Sequence, residues 1–423
     1  MRPAVQLALA VLCAAGMWTY VDHVLVAHQK NKALISGSPR GNLSDLYPTW
    51  LGARELLVDH RDPYSAEITR EIQMGYYGRT IDASRPEDPT NQQAFAYPLY
   101  VVFLVAPLVK IPFPIVRVIC FWLLLGLTGL SVLLWLHVLK WRVSCIALAT
   151  LIVLTLGTFP AVQGIKLQQL SLLVAFLIAA AVALLSSGRL TLAGILLALA
   201  MIKPQLTVPL AGWLMLWAIS GWQRRWKVAT SFLVCLAALV CGGELLLHGW
   251  LREFSSAVLA YRGYAAGGAL LEQMLPRAIA IPVLALLLAS VAAGCWYVRK
   301  AAVEDEGFLY MTSLVLAVTL LVPPMYPPHY QLLLLPGVFL LARDSQPTNV
   351  AFRFLYVLSA GLIVWSWLLA IVLGGASFFT VRAQQFWAAP LWPTVLFPVP
   401  VIACLGWMAF ERVPSRSREG VTE

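Results

Sequence analysis

Apolar runs of roughly 18 residues or more recur along almost the whole chain, and they constrain its fold more than any other feature. That is the length that an α-helix needs to cross about 30 Å of hydrocarbon. Only 12% of the 423 residues are charged, too few to cover a soluble globule of this size. Because backbone polar groups must pair internally in lipid, the sequence predicts an all-α polytopic membrane protein.

About twelve transmembrane helices are predicted. The first, residues 3–21, follows Arg2 and is interpreted as an uncleaved signal anchor, since further apolar runs follow it. The remaining candidate spans are residues 115–139, 143–161, 169–186, 190–202, 204–220, 228–246, 278–298, 307–322, 330–342, 354–373 and 391–410.

Basic residues in the short connections predict the orientation of these spans. They are Lys140, Arg142, Arg189, Arg224, Arg225, Lys227, Arg299, Lys300, Arg343, Arg353, Arg412, Arg416 and Arg418. A single topology places all of them, and both chain ends, on the cytoplasmic side of a bacterial inner membrane. In that topology residues 98–109 do not span fully and form a short re-entrant or interfacial helix.

The same topology places residues 28–95 outside as one large loop, which holds nine acidic and eight basic residues. One transmembrane domain, residues 1–413, is predicted to include this loop and to be followed by a disordered tail, residues 414–423.

The net charge of +10 does not indicate nucleic-acid binding, because the bases are scattered through connections where they orient helices and contact phospholipid. The seven cysteines lie in or beside apolar runs without CxxC spacing. They predict neither a disulfide framework nor a metal site.

Asp45 opens a segment of the large loop in which Leu46, Trp50, Ala53 and Leu57 recur at helical spacing. An amphipathic helix lying on the membrane surface is predicted, with Asp45 near its start. The simpler interpretation is that Asp45 is only a helix N-cap.

Lys203 interrupts an apolar run of about 30 residues and is followed by Pro204. An ionisable group at membrane depth is costly and is therefore a functional candidate. The proline predicts two half-helices whose turn faces outside, where Lys203 holds an anion. The alternative is a snorkelling lysine at a helix turn.

His329 follows a proline-rich outer turn, residues 323–328, at the mouth of the next apolar run. It is either a functional group on the outer side or a structural histidine. The segment from Phe95 to Pro98 is by itself no more than a helix start.

Together these motifs resemble family 87 of the glycosyltransferases, membrane enzymes of the GT-C class that include polyprenyl-phosphate-mannose-dependent α-mannosyltransferases of bacterial envelopes. The resemblance covers about residues 1–345. It is carried by Asp45-Leu46-Tyr47, Ala53-Arg54, Leu56-Leu57, Asp62-Pro63-Tyr64, Phe95-Ala96-Tyr97-Pro98, Gln169 and Lys203-Pro204-Gln205. Leu99 and Gln168 depart from the family pattern, which has a second proline and a glycine there.

The resemblance implies a GT-C-type helical bundle that transfers a sugar from a polyprenyl-phosphate donor to an envelope glycan or glycolipid on the outer side. Mannose is the leading candidate for this sugar. Asp45 occupies the position of the general base in the first outer loop. Lys203 and His329 suit the departing phosphate, and Arg54 and Arg262 are weaker candidates.

The resemblance also implies that Tyr64, Tyr97, Gln169 and Gln205 bind substrate or donor phosphate. No cofactor is expected, and the absence of a DxD pair in the loop predicts no metal requirement. Two alternatives remain: a transporter or flippase of envelope lipids or sugars, with Lys203 and His329 lining its pathway, and an envelope polysaccharide polymerase or ligase.

Overall fold

The structure, a computed structural model, describes residues 2–35, 44–82, 84–86, 88–264, 269–344 and 349–412. Within these ranges all regular secondary structure is helical, which confirms the predicted all-α class. The tail expected to be disordered, residues 414–423, lies outside the described residues.

Helices follow one another along the chain, and a long connection joins α4 to α5. The first half contains α1 (Pro3–Tyr20), a π-helical turn (Val21–Val26), α2 (Ala27–Ile35), α3 (Tyr47–Asp59), α4 (Ala66–Tyr77), α5 (Val101–Val105), α6 (Phe113–Val138), α7 (Cys145–Leu156), α8 (Phe159–Lys166), α9 (Leu170–Ser186) and α10 (Leu190–Leu199). The second half contains α11 (Pro204–Ser220), α12 (Trp222–Leu246), α13 (Trp250–Tyr264), α14 (Leu270–Met274), α15 (Arg277–Val298), α16 (Glu306–Thr319), α17 (Leu335–Asp344), α18 (Val350–Ala376), α19 (Leu391–Leu396) and α20 (Pro398–Arg412). Four 3-10 turns join them: Ala106–Leu108, Ala200–Ile202, Pro328–Leu334 and Val381–Phe386.

Six helical segments among the described residues are long and apolar enough to cross a membrane, or seven if the bent pair α7 and α8 is one span. The six are Pro3–Ile35, Phe113–Val138, Trp222–Leu246, Arg277–Val298, Val350–Ala376 and Val381–Glu411. Other apolar helices, including α9 and α16, are shorter than the roughly 20 residues that a full crossing takes. The protein is therefore a multi-pass membrane protein, and the predicted count of about twelve spans is not confirmed.

The first helix is longer than predicted. It continues from α1 through the π-helical turn into α2 and ends at Ile35, so it extends into the segment that was predicted as the outer loop. The physical reason is local, because no glycine or proline interrupts the chain between Gly16 and Gly37.

Helix α3 is not the amphipathic surface helix predicted. Its buried residues include Pro48, Trp50 and Glu55 and lie on most of its faces. The Trp50 indole N–H donates to the backbone carbonyl of Leu108 at 3.1 Å, and its ring lies 5.1 Å from that of Phe113. The segment packs inside the protein because its aromatic residues fill the space against α5 and α6.

The amphipathic helix of the large loop is instead α4. Ile68, Ile72 and Tyr76 recur every four residues, and all three are buried. The hydroxyl of Ser65 accepts from the Ile68 amide as an N-cap, and Gly78 ends the helix at φ 81°.

The predicted break at Lys203 is confirmed. Helix α10 tightens into the turn Ala200–Ile202, Lys203 has non-helical backbone angles, and α11 begins at Pro204. Residues 101–108 form only α5 and a 3-10 turn, about 14 Å of helix, which is too short to cross a bilayer.

The basic connections meet at the end of α11 that is remote from this break. The Arg225 guanidinium donates to the backbone carbonyls of Arg299 and Lys300 at 3.1 and 3.0 Å. The Arg343 guanidinium donates to the carbonyl of Leu139. Helix α11 is about 25 Å long, so Lys203 and the arginines lie at opposite ends of the bundle.

Gly194 allows the close packing of α10 on α12. A Cβ at this position would collide with the Val228 carbonyl oxygen and lie 3.0 Å from the Phe232 backbone nitrogen. Backbone atoms cannot move aside as side chains do, so Gly194→Ala should destabilise the protein by about 1–3 kcal/mol. Its apparent Tm in detergent should fall by several degrees.

The control is Gly126→Ala, because a Cβ on this α6 residue meets nothing within 4 Å. Equal apparent Tm values for the two variants would show that α10 and α12 do not pack as closely as described.

Candidate functional site

A cavity of about 650 Å³ opens at the end of the bundle where α3, α9 and α11 begin. Its lining residues come from six parts of the chain: Asp45, Pro48, Asn91, Gln93, Ala94, Ala96, Tyr97, Pro98, Gln169, Ile202, Lys203, Pro204, Gln205, Phe254, Ser255, Val258, Leu259, Tyr261, Pro323, Pro324, Met325, Pro327, His329 and Tyr330. Another cavity, about 700 Å³ between α15, α16 and α20, has no charged side chain among its described lining residues. The first cavity is therefore the candidate site.

Asp45 lies at the cavity wall immediately before α3. Its carboxylate accepts a hydrogen bond from the Tyr76 hydroxyl at 2.9 Å and another from the Gln169 side-chain amide. The cap position of α3 is Leu46, and no side-chain cap bond forms there. The interpretation of Asp45 as a simple N-cap is therefore wrong.

Gln169 connects Asp45 to Lys203. Its Oε1 accepts from the Lys203 ammonium at 3.0 Å while its Nε2 donates to Asp45. The amide thus links the carboxylate to the ammonium through two hydrogen bonds. Asp45 and Lys203 both line the cavity.

Lys203 is buried, with 5% of its surface exposed. Its ammonium lies 5.5 Å from the ring centroids of both Tyr97 and Tyr330, within the range of cation–π attraction. A snorkelling lysine would extend its ammonium into water instead. The helix break therefore presents a buried cation to the cavity.

Tyr64 does not line the cavity but contacts a residue that does. Its hydroxyl donates to the backbone carbonyl of Tyr97 at 2.7 Å, and its ring packs on Phe95 at 5.1 Å. Burial raises the pKa of the Tyr64 phenol and holds the pKa of the Tyr97 phenol well above its ordinary value. Both phenols are therefore protonated at neutral pH and are able to donate hydrogen bonds.

His329 lies in the turn Pro328–Leu334, outside the candidate spans, and is 5% exposed. Its Nδ1 has no hydrogen-bond partner. Burial, and secondly the nearby Lys203, hold the pKa of His329 well below its usual range. It therefore faces the cavity as a neutral imidazole.

Gln205 also reaches the cavity, where its amide donates to the Tyr330 hydroxyl at 3.3 Å. Arg54 does not reach it. Its guanidinium is exposed and stacks over the Trp50 ring at 5.7 Å, away from the lining residues. Arg262 belongs to α13, and its side chain lies outside the described part of the structure.

Sequence reasoning missed Tyr76, Tyr330, Asn91 and Gln93. Tyr76 could have been found, because the four-residue spacing from Ile68 and Ile72 places it on the buried face of α4. Tyr330 adjoins His329, but no local pattern marks it. Among the residues that the structure describes, no three His, Cys, Asp or Glu side chains come together as a metal site.

Fold and cavity together define a multi-pass helical membrane protein with a carboxylate, an amide and a buried ammonium in series at one end of its bundle. The family model of glycosyltransferase family 87 matches residues 95–324, more than half of the 423 residues. The chain therefore belongs to glycosyltransferase family 87 and is a membrane glycosyltransferase. The match includes Tyr97, Gln169 and Lys203, begins after Asp45 and ends before His329. A search of the curated proteins finds no match.

Proposed function

We propose that the protein transfers a sugar from a polyprenyl-phosphate donor to a hydroxyl of an envelope glycan or glycolipid. Mannose is the leading candidate for this sugar. Asp45 is the general base. The observation that carries this proposal is the series Asp45, Gln169 and Lys203, which puts a proton acceptor and a phosphate-binding cation in one cavity.

In the proposed reaction the acceptor hydroxyl oxygen attacks the anomeric carbon as its proton passes to the Asp45 carboxylate. The bond between the anomeric carbon and the phosphate oxygen breaks, and its electron pair leaves with the lipid phosphate. Attack opposite the leaving group inverts the configuration at the sugar carbon. Hydrogen bonds from Tyr76 and Gln169 favour the ionised carboxylate and hold its orientation.

Lys203 is the group that stabilises the departing phosphate in this proposal. A buried ammonium has little water to screen it, so its attraction for a new negative charge is strong. The imidazole of His329 and the phenols of Tyr97 and Tyr330 add neutral donors at the same wall.

Two features support a lipid-linked donor. The cavity combines its polar groups with the apolar side chains of Ile202, Phe254, Val258, Leu259 and Met325, which suit an isoprenoid chain. The arginine-rich connections lie at the opposite end of the bundle, and by the positive-inside rule this supports a cavity that faces the periplasm of a bacterial inner membrane. Sugar nucleotides are made in the cytoplasm and would not reach it.

The test uses purified protein in nanodiscs with polyprenyl-phosphate mannose or a nucleotide-linked mannose, each with EDTA present. Release of polyprenyl phosphate is expected from the lipid donor alone, at a rate that EDTA does not change. Use of the nucleotide donor, or loss of activity in EDTA, would contradict the proposed donor or the metal-independent mechanism. If neither donor is consumed, the proposal of mannose as the transferred sugar fails.

A further inference from the structure

Asn91 and Gln93 lie on the cavity wall in the connection between α4 and α5, and neither belongs to the machinery described above. Both side chains are half-buried. Asn91 Oδ1 accepts from the Gln93 backbone amide at 3.1 Å, which folds the segment into a tight turn. Among the described residues, the hydrogen bond found for Gln93 in this turn comes from its backbone amide and leaves its side-chain amide at the cavity wall.

Two side chains of helix α4 hydrogen-bond to the backbone of this turn. The Gln73 amide donates to the carbonyl of Gln92 at 3.0 Å, and the Tyr77 hydroxyl donates to the carbonyl of Asn91 at 2.6 Å. Gln73 and Tyr77 are both buried. The turn is therefore attached to α4 through two side chains that have little freedom to move.

The same helix orients the proposed base. Tyr76, which lies between Gln73 and Tyr77 in α4, donates to Asp45. One rigid element thus sets the position of the Asp45 carboxylate relative to Asn91 and Gln93. Groups fixed in this way relative to a base are placed to recognise the molecule whose proton the base removes.

Gln93 adopts a left-handed backbone conformation, with φ 54°. This region is unfavourable for residues with a side chain other than Asn or Asp, and glycine occupies it without cost. A glutamine at this position keeps an amide on the cavity wall at the expense of backbone energy. Such local strain is typical of binding sites.

The charges of the cavity restrict what these amides would bind. Among the described lining residues, Lys203 is the one cationic side chain, and the proposed function assigns it to the donor phosphate. An anionic acceptor would need a further cation and would be repelled by Asp45. Side-chain amides, in contrast, both donate to and accept from hydroxyl groups.

We infer that Asn91 and Gln93 form the acceptor subsite and that the acceptor is a neutral saccharide whose hydroxyls they bind. This inference rests on the proposed function, in which Asp45 removes the proton of the attacking acceptor hydroxyl.

The experiment compares wild-type protein with Gln93→Gly, which removes the amide and suits the left-handed backbone. A second variant, Asn91→Ser, keeps an oxygen to accept from the Gln93 amide but loses the side-chain NH₂. The control is Gln92→Ala in the same turn, whose side chain is exposed and does not line the cavity.

Two reactions of polyprenyl-phosphate mannose are measured: hydrolysis by water, and transfer to octyl mannoside, glucoside or galactoside, or to the anionic octyl mannoside 6-phosphate. Wild-type protein should use at least one neutral glycoside better than the phosphorylated one. Gln93→Gly and Asn91→Ser should each raise the KM for that glycoside and lower the ratio of transfer to hydrolysis by about threefold to tenfold, the loss expected for one or two hydrogen bonds.

A ratio like that of the wild type in both variants, or an equal fall in Gln92→Ala, overturns the inference. So does preference for the phosphorylated glycoside, or hydrolysis without transfer to any neutral glycoside. If wild-type protein neither hydrolyses nor transfers the lipid-linked sugar, the proposed function itself fails, and the inference fails with it.

Discussion

Asp45→Asn should abolish sugar transfer, with kcat lower by a factor of about 10² to 10⁴. Asparagine keeps the size of the side chain and an oxygen that accepts from Tyr76, but it cannot take the proton of the attacking hydroxyl. The measurement is polyprenyl phosphate released from polyprenyl-phosphate mannose in the presence of a glycoside acceptor.

Asp59→Asn is the matched control, because Asp59 is an exposed carboxylate in the last turn of the same helix, α3, outside the cavity. It should keep wild-type kcat. Asp45→Asn must also keep the apparent Tm and the inhibition by added polyprenyl phosphate, which show that the variant is folded and binds the donor phosphate. Full activity in such a folded variant would end the assignment of Asp45 as the base.

Lys203→Met should lower kcat/KM for the lipid donor by about 10² to 10³. Methionine fills most of the space of the lysine stem and removes the charge that is proposed to stabilise the departing phosphate. Unlike Asp45→Asn, this variant should also lose inhibition by polyprenyl phosphate, because product and leaving group share the same phosphate.

Lys110→Met serves as the control, since Lys110 is exposed in the connection before α6 and does not line the cavity. It should behave as wild type. If Lys203→Met remained sensitive to polyprenyl phosphate while losing activity, Lys203 would be a structural support for Gln169 and not the phosphate-binding group.

Local sequence patterns were sufficient where a single residue decides the backbone. Pro204 lacks an amide hydrogen and restricts the residue before it, so the break at Lys203 was predicted correctly. The all-α class followed in the same way from the length of the apolar runs, because lipid leaves few alternatives for the backbone.

Local sequence patterns did not predict the features that depend on how the helices pack together. Helix α3 has the apolar spacing of a surface helix, yet its aromatic residues fit against α5 and α6 and bury it on most faces. The predicted number of spans was not confirmed, because an apolar run does not show where its helix ends, and several runs form helices of 10–17 residues.

The sequence by itself determined the helical membrane-protein class and the candidates Asp45, Gln169 and Lys203, because hydropathy, charge and proline act over a few residues. Tertiary structure alone decided that Gln169 joins Asp45, 124 residues away, to Lys203, 34 residues away. It also brought in Tyr76, removed Arg54 from the site and made His329 a neutral group. Hydrogen bonds and burial depend on which surfaces meet in the folded chain, and residue spacing does not encode that information locally.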